Sequence, residues 1–102
     1  MTRLAEERLQ DDDRFADSYI RYRAGSGFGP VKIKIELNQR GVEEFVTGAA
    51  MDRLAINWPE LSRAAWQKKF KGAANDYKER AKQARFLQYR GFSGDHISFL
   101  LG

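Results

Sequence analysis

Cysteine is absent from this sequence and histidine occurs once, as His96. The first absence removes disulfides, zinc–cysteine centres and thiol catalysis together, and fits a reducing compartment such as the cytoplasm. With no second histidine, no thiol and no metal-ligand spacing in the surrounding SGDHI, His96 reads as a partly exposed helix residue. Long apolar runs are missing too. No stretch of about 18 residues could cross a bilayer, and the opening MTRLAEERLQDDD lacks the apolar core of a secretory signal. The expectation is a cytoplasmic protein, neither exported nor membrane-spanning. Proline occurs only as Pro30 and Pro59, each placed to open a helix, where its missing N–H would be unpaired anyway.

What the chain does have is enough apolar residue to fold: 42% hydrophobic against 31% charged over 102 residues, too apolar for a disordered segment. Its net charge of +4 hides an asymmetry. Residues 1–51 carry eight Lys and Arg against nine acids, whereas residues 52–102 carry ten against five. Nine of those cations lie between Arg63 and Arg90, with only Asp76 and Glu79 among them. Such a segment draws polyanions or acidic protein surfaces towards it whatever fold lies beneath.

Helical periodicity predicts six helices. Asp11, Asp12 and Asp13 supply cap and first-turn carboxylates for a helix of about eleven residues ending near Arg23. Its apolar side holds Phe15, Tyr19 and Tyr22, with Ala16 and Ile20 beside them. After the turn AGSGFG, VKIKIEL alternates like a strand, but Pro30 opens the segment, Gly41 closes it and the alternation fails after Ile35, so a second helix is expected. Val31 with Ile35 and Ile33 with Leu37 give it two stripes, as for a middle helix packed on two sides. A third helix places Val42, Val46, Ala49 or Ala50, and Leu54 inward, with Gly48 as a close-packing point. Asn57 opens a fourth, running to about Phe70, with Leu61, Ala64 and Ala65 as its narrow face and Trp66 and Phe70 extending it. Asn75 or Asp76 opens a fifth, packed through Tyr77, Ala81, Ala84 and Leu87 and stopped by Gly91, and Ser93 caps a short sixth containing Ile97, Phe99, Leu100 and Leu101.

KIKIELNQRGV, from Lys32, and KQARFLQYRGFS, from Lys82, match at one fixed offset: Lys32 with Lys82, Leu37 with Leu87, Arg40 with Arg90, Gly41 with Gly91. A fixed offset implies two copies of one structural unit. A single copy buries too little apolar surface to be secure, so the copies are expected to share a stack. The expected fold is all-α, with tandem three-helix repeats over residues 12–56 and 57–102, residues 1–11 as an N-terminal extension left from a preceding repeat, and no β-sheet.

DDDRFADSYIRYR, GFGPVKIKIELNQRGV and KQARFLQYRGFSGDHI, in that order, resemble the RecX regulatory proteins of bacteria over nearly the whole chain from Asp12. The resemblance implies an array of three-helix repeats, usually three, of which this chain holds the second and third. It also implies a fragment, since the first repeat is missing and the chain stops at Gly102 just after Leu100 and Leu101. The implied function is to bind RecA recombinase and its filament on single-stranded DNA, and to inhibit strand exchange, ATPase and co-protease activity in DNA repair and the SOS response. A thin stack of helical repeats can follow a filament groove, and a basic face eases its approach to bound DNA.

Candidate contact residues are Lys68, Lys69, Lys71, Lys82, Arg85 and Arg90, with Lys32, Lys34 and Arg40 as the matching positions of the first unit. Cations near a helix end also complement its carbonyls, so charge patterning weighs a solvated face evenly against a binding face. Trp66, Phe70, Tyr77, Phe86 and Tyr89 interleave with these charges and are expected in the core rather than stacked on bases. The aspartate run is expected to cap a helix rather than to hold magnesium, because adjacent helical carboxylates do not converge. GSGFG lacks the end of a phosphate loop and reads as a turn. No nucleophile, base and metal set assembles, so no catalytic residue, metal or cofactor is expected, and the chain reads as a monomeric non-enzyme. The alternative function is a general nucleic-acid-binding helical module acting through its basic face.

Overall fold

Helices supply all the regular structure of the computed structural model, which describes residues 2–101 except 71 and 73, with side chains described from residue 12 onward. In chain order they are α1 (Thr2–Gly25), α2 (Pro30–Gln39), α3 (Glu44–Leu54), α4 (Trp58–Lys69), α5 (Tyr77–Arg90) and α6 (Gly94–Leu101). α1 packs mainly on α3, with α2 against both; α4 packs mainly on α6, with α5 against both. The two units follow one another in an elongated body of 60 × 18 × 18 Å. No helix among the described residues is long and apolar enough to cross a membrane.

Local chemistry sets the helix ends. Asn57 accepts from the Glu60 N–H at 3.2 Å and Asp76 from the Glu79 N–H at 2.8 Å, so α4 and α5 each begin on a side-chain cap. At α6 the His96 N–H donates to Ser93 Oγ while the Ser93 N–H donates to His96 Nδ1, both at 3.3 Å. This is a capping box with imidazole in place of the usual Glu or Gln. α2 and α5 end alike: the Val42 N–H returns to the Leu37 carbonyl and the Phe92 N–H to Leu87, through Gly41 at φ +83° and Gly91 at φ +95°. A left-handed glycine followed by a buried apolar residue is the Schellman stop, here written twice, fifty residues apart.

Two apolar clusters lie under these helices. The first contains Ala16, Ile20, Ile33, Leu37, Val42, Val46 and Ala50. The second has only Ala65, Leu87 and Phe92 fully buried, with half-buried Leu61, Trp66, Phe86, Ile97, Leu100 and Leu101 packed against them. Trp58 packs against both clusters. Where the first unit buries Ile33, the second buries Gln83, whose Oε1 accepts from Trp66 Nε1 at 3.0 Å while its Nε2 donates to the Gly72 carbonyl at 3.2 Å. A buried amide is tolerable because both ends are satisfied. In doing so it ties the α4–α5 loop to the core.

Several expectations are corrected. α1 runs unbroken for 24 residues from Thr2 to Gly25, so Asp11, Asp12 and Asp13 lie inside it rather than at its start. Residues 2–10 contain good helix formers and no Gly or Pro, so nothing stops the helix short of the aspartates. Its buried line is Ala16, Ile20 and Ala24, while Phe15 and Tyr22 point outward. α2 is packed on one side only: Ile33 and Leu37 are buried and Val31 and Ile35 exposed. In α3, Ala50 rather than Ala49 is buried. Ala64 and Tyr77 are likewise exposed, α4 closing on Ser62 and Ala65 and α5 on Gln83 and Leu87.

Gly48 is not a close-packing point, because a Cβ built there meets nothing within 4 Å. It sits inside α3 and leaves only the backbone-entropy cost of glycine. Gly48→Ala should therefore stabilise the fold by roughly 0.5–1 kcal/mol, read as a higher urea midpoint at unchanged slope.

Candidate interaction face

The two units meet through backbone. α2 begins at Gly29-Pro30 without a side-chain cap, and its free amides find the end of α5 instead. The Gly29 N–H donates to the Arg90 carbonyl at 2.7 Å and the Val31 N–H to the Gly91 carbonyl at 2.9 Å. This approach requires glycine on both sides. A Cβ at Gly29 would lie 2.5 Å from the Gly91 carbonyl group, and one at Gly91 would lie 2.2 Å from the Lys32 Cβ. Gly29 has an ordinary φ of −94°, so Gly29→Ala isolates the clash. It should cost about 2 kcal/mol by urea unfolding.

Cations and aromatic rings crowd around this joint. Phe28 has the Arg23 guanidinium 3.8 Å from its ring centre, Arg90 at 4.9 Å and Lys32 Nζ at 5.3 Å. Arg90 also lies 5.2 Å from the Phe86 ring and donates from Nη1 to the Ser26 carbonyl at 3.3 Å. Lys32 reaches across to Tyr89, with Nζ at 4.6 Å. Of the candidate contact residues, Lys32 and Arg90 are thus half-buried members of the joint, attracted to ring faces.

The remaining candidates fall into separate groups. Lys68 and Lys69, in the last turn of α4, line a notch of about 200 Å³ together with Arg90, Phe86 and the Gly25–Gly27 turn. Lys82 and Arg85 stand exposed on α5. Lys34 lines a different groove, between α2 and α3, with Asn38 and Glu44. Arg40 lies over the Tyr19 ring at 4.7 Å and donates to the Glu36 carbonyl at 3.2 Å. Lys71 lies outside the described residues. Among the interleaved aromatics, Phe70 and Phe86 pack edge to face at 5.4 Å and Trp66 joins the second core, whereas Tyr77 and Tyr89 are exposed. Sequence reasoning missed Tyr89, Val31 and Ile35 as surface residues, and Gly29 as half of the joint. The Gly-Pro pair was the one available signal for the latter.

One carboxylate holds the first unit in register behind this face. Arg23 donates from Nε and Nη2 to the two oxygens of Glu36 at 3.0 and 2.8 Å, and the Tyr19 hydroxyl adds a third bond at 3.0 Å. Burial pushes the Glu36 pKa up, but the bonds from Arg23 and Tyr19, with the charges of Arg23 and Lys32, outweigh it and hold the carboxyl below its ordinary range. The folded state therefore releases this proton at lower pH than the unfolded chain. The stabilisation is complete above the unfolded value of about 4.3 and is lost as pH falls through the folded one. Glu36→Gln should lower the urea midpoint at neutral pH, and its difference from the unaltered protein should shrink as pH drops below about 4.3.

Comparison with known proteins follows the same division of the chain. The model of the second three-helix domain of RecX matches residues 11–51, and that of the third matches residues 60–101. The chain belongs to the RecX family. It is 47% identical over 102 residues to the regulatory protein RecX of Pseudomonas fluorescens strain Pf-5, covering 99% of this chain and 66% of that protein. It is 46% identical to the RecX of Pseudomonas savastanoi pv. phaseolicola, with the same coverage. Against the RecX of Pseudomonas putida KT2440 it is 47% identical, covering 99% of this chain and 65% of that protein. The chain thus spans about two thirds of the length of these RecX relatives.

Proposed function

We propose that this chain is a non-catalytic regulator that acts in the cytoplasm by binding RecA recombinase and its filament on single-stranded DNA, lowering strand exchange, ATP hydrolysis and co-protease activity. Membership of a family whose relatives are named regulatory proteins supports the reading. The structural observation that carries it is a thin stack, 18 Å across and 60 Å long, with Lys68, Lys69, Lys78, Lys82 and Arg85 exposed along the second unit. A body of that shape can lie along a helical groove and touch successive subunits, and its positive face offsets the repulsion between an acidic partner and the DNA beside it. The notch between Lys68, Lys69 and Arg90 supports a second reading, in which the chain grips nucleic acid through phosphate alone.

ATP hydrolysis by pre-formed RecA filaments separates the two when followed beside a salt titration on bare single-stranded DNA. The regulator should suppress hydrolysis at concentrations too low to coat bare DNA. The Lys82→Glu, Arg85→Glu double reversal should raise the half-inhibitory concentration about tenfold or more. Unchanged hydrolysis, alongside tight DNA binding that weakens steeply with salt, would sink the regulator reading in favour of the phosphate-binding one.

A further inference from the structure

Lys78, Lys82, Arg85 and Tyr89 follow one another along α5 at steps of four, three and four residues, and all four are exposed. At that spacing they form one row, about 16 Å long. Lys78, Lys82 and Arg85 make no ion pair among the described residues. The Tyr89 end of the row opens into a groove of roughly 450 Å³ between α5 and α2, whose walls include Val31, Ile35 and Gln88. Val31 is 45%, Ile35 54% and Tyr89 74% exposed. A purely solvated charged face has no need of three apolar side chains gathered at one end.

We infer that the row and the groove are one docking surface for an acidic amphipathic helix on the partner protein, with carboxylates along Lys78, Lys82 and Arg85 and an apolar side chain seated among Val31, Ile35 and Tyr89. The inference rests on the RecA-binding reading and names the face that makes the contact. A helix laid along α5 presents carboxylates at the same three- and four-residue steps, so the two ridges match over the length of the row. The charges orient and speed the encounter, while the desolvated apolar anchor sets how long it lasts. Nucleic acid fits less well. Val31 and Ile35 offer no stacking plane, and Lys32 Nζ already lies against the Tyr89 ring.

Ile35→Lys tests this, because it removes the apolar wall at an exposed position while adding a positive charge. Tyr89→Ala is the second variant, and far-ultraviolet circular dichroism with thermal melting checks that both fold. Co-sedimentation with RecA filaments on single-stranded DNA is compared with fluorescence anisotropy on the same DNA without RecA. Filament affinity should fall at least about tenfold for Ile35→Lys and in the same direction for Tyr89→Ala, while Ile35→Lys binds bare DNA as well as or better than the unaltered chain. Filament affinity unchanged in both variants overturns the docking surface and leaves the regulator reading standing. Parallel loss of filament and bare-DNA binding in both overturns it too, with nucleic acid as the occupant. An unaltered chain that fails to sediment with filaments overturns the regulator reading, and the docking surface with it.

Discussion

Two hydrogen bonds between main chains hold the halves of this molecule together. The first amides of α2 have no side-chain cap, and the last carbonyls of α5 have no further turn of helix, so each end supplies what the other lacks. Glycine at positions 29 and 91 lets the backbones approach closely enough for the exchange. Trp58 adds the apolar counterpart, packing against both cores from the first residue of α4. The second core has few fully buried residues of its own. Its order therefore depends on neighbours, as in other stacked-repeat proteins where each unit borrows stability from the next.

The joint also divides the cations into those held at rings and those left clear of them. Arg23, Lys32 and Arg90 gather around Phe28, and Arg40 lies over Tyr19, so these charges help to shape the scaffold. Lys68, Lys69, Lys82 and Arg85 stand out from it. The division separates two roles among the cations of the chain. Cations over rings keep the units aligned, and those on the α4 end and the α5 row present charge at fixed spacing.

Much of the fold was legible because punctuation residues act locally. Pro30, Asn57, Pro59, Asp76 and Ser93 announce helix starts, Gly41 and Gly91 announce stops, and the fifty-residue offset pairs the two middle helices. The errors came where local chemistry has two meanings. A run of aspartates suits a cap, yet it also sits inside a helix whose earlier residues all favour helix, as in α1. The near-alternating VKIKIEL spreads apolar residues around much of α2, and only tertiary packing decides that Ile33 and Leu37 go inward. The interaction face was half legible. Charge density marked the α4–α5 segment as the candidate, but no local pattern says that the amide at position 29 will meet the carbonyl at position 90, or that Val31, Ile35 and Tyr89 will then share a groove.

End-to-end contact of α5 with α2 also has an electrostatic consequence. A helix carries partial positive charge at its amino end and partial negative charge at its carboxyl end, and here opposite ends of two helices touch. The two partial charges oppose each other at the joint, and the outer poles of the two helices lie near Asp76 and Arg40. Each pole is met by a side chain of opposite sign. The backbone thus contributes little to the potential at the joint, and the positive field there is written almost entirely in side chains, open to tuning one residue at a time.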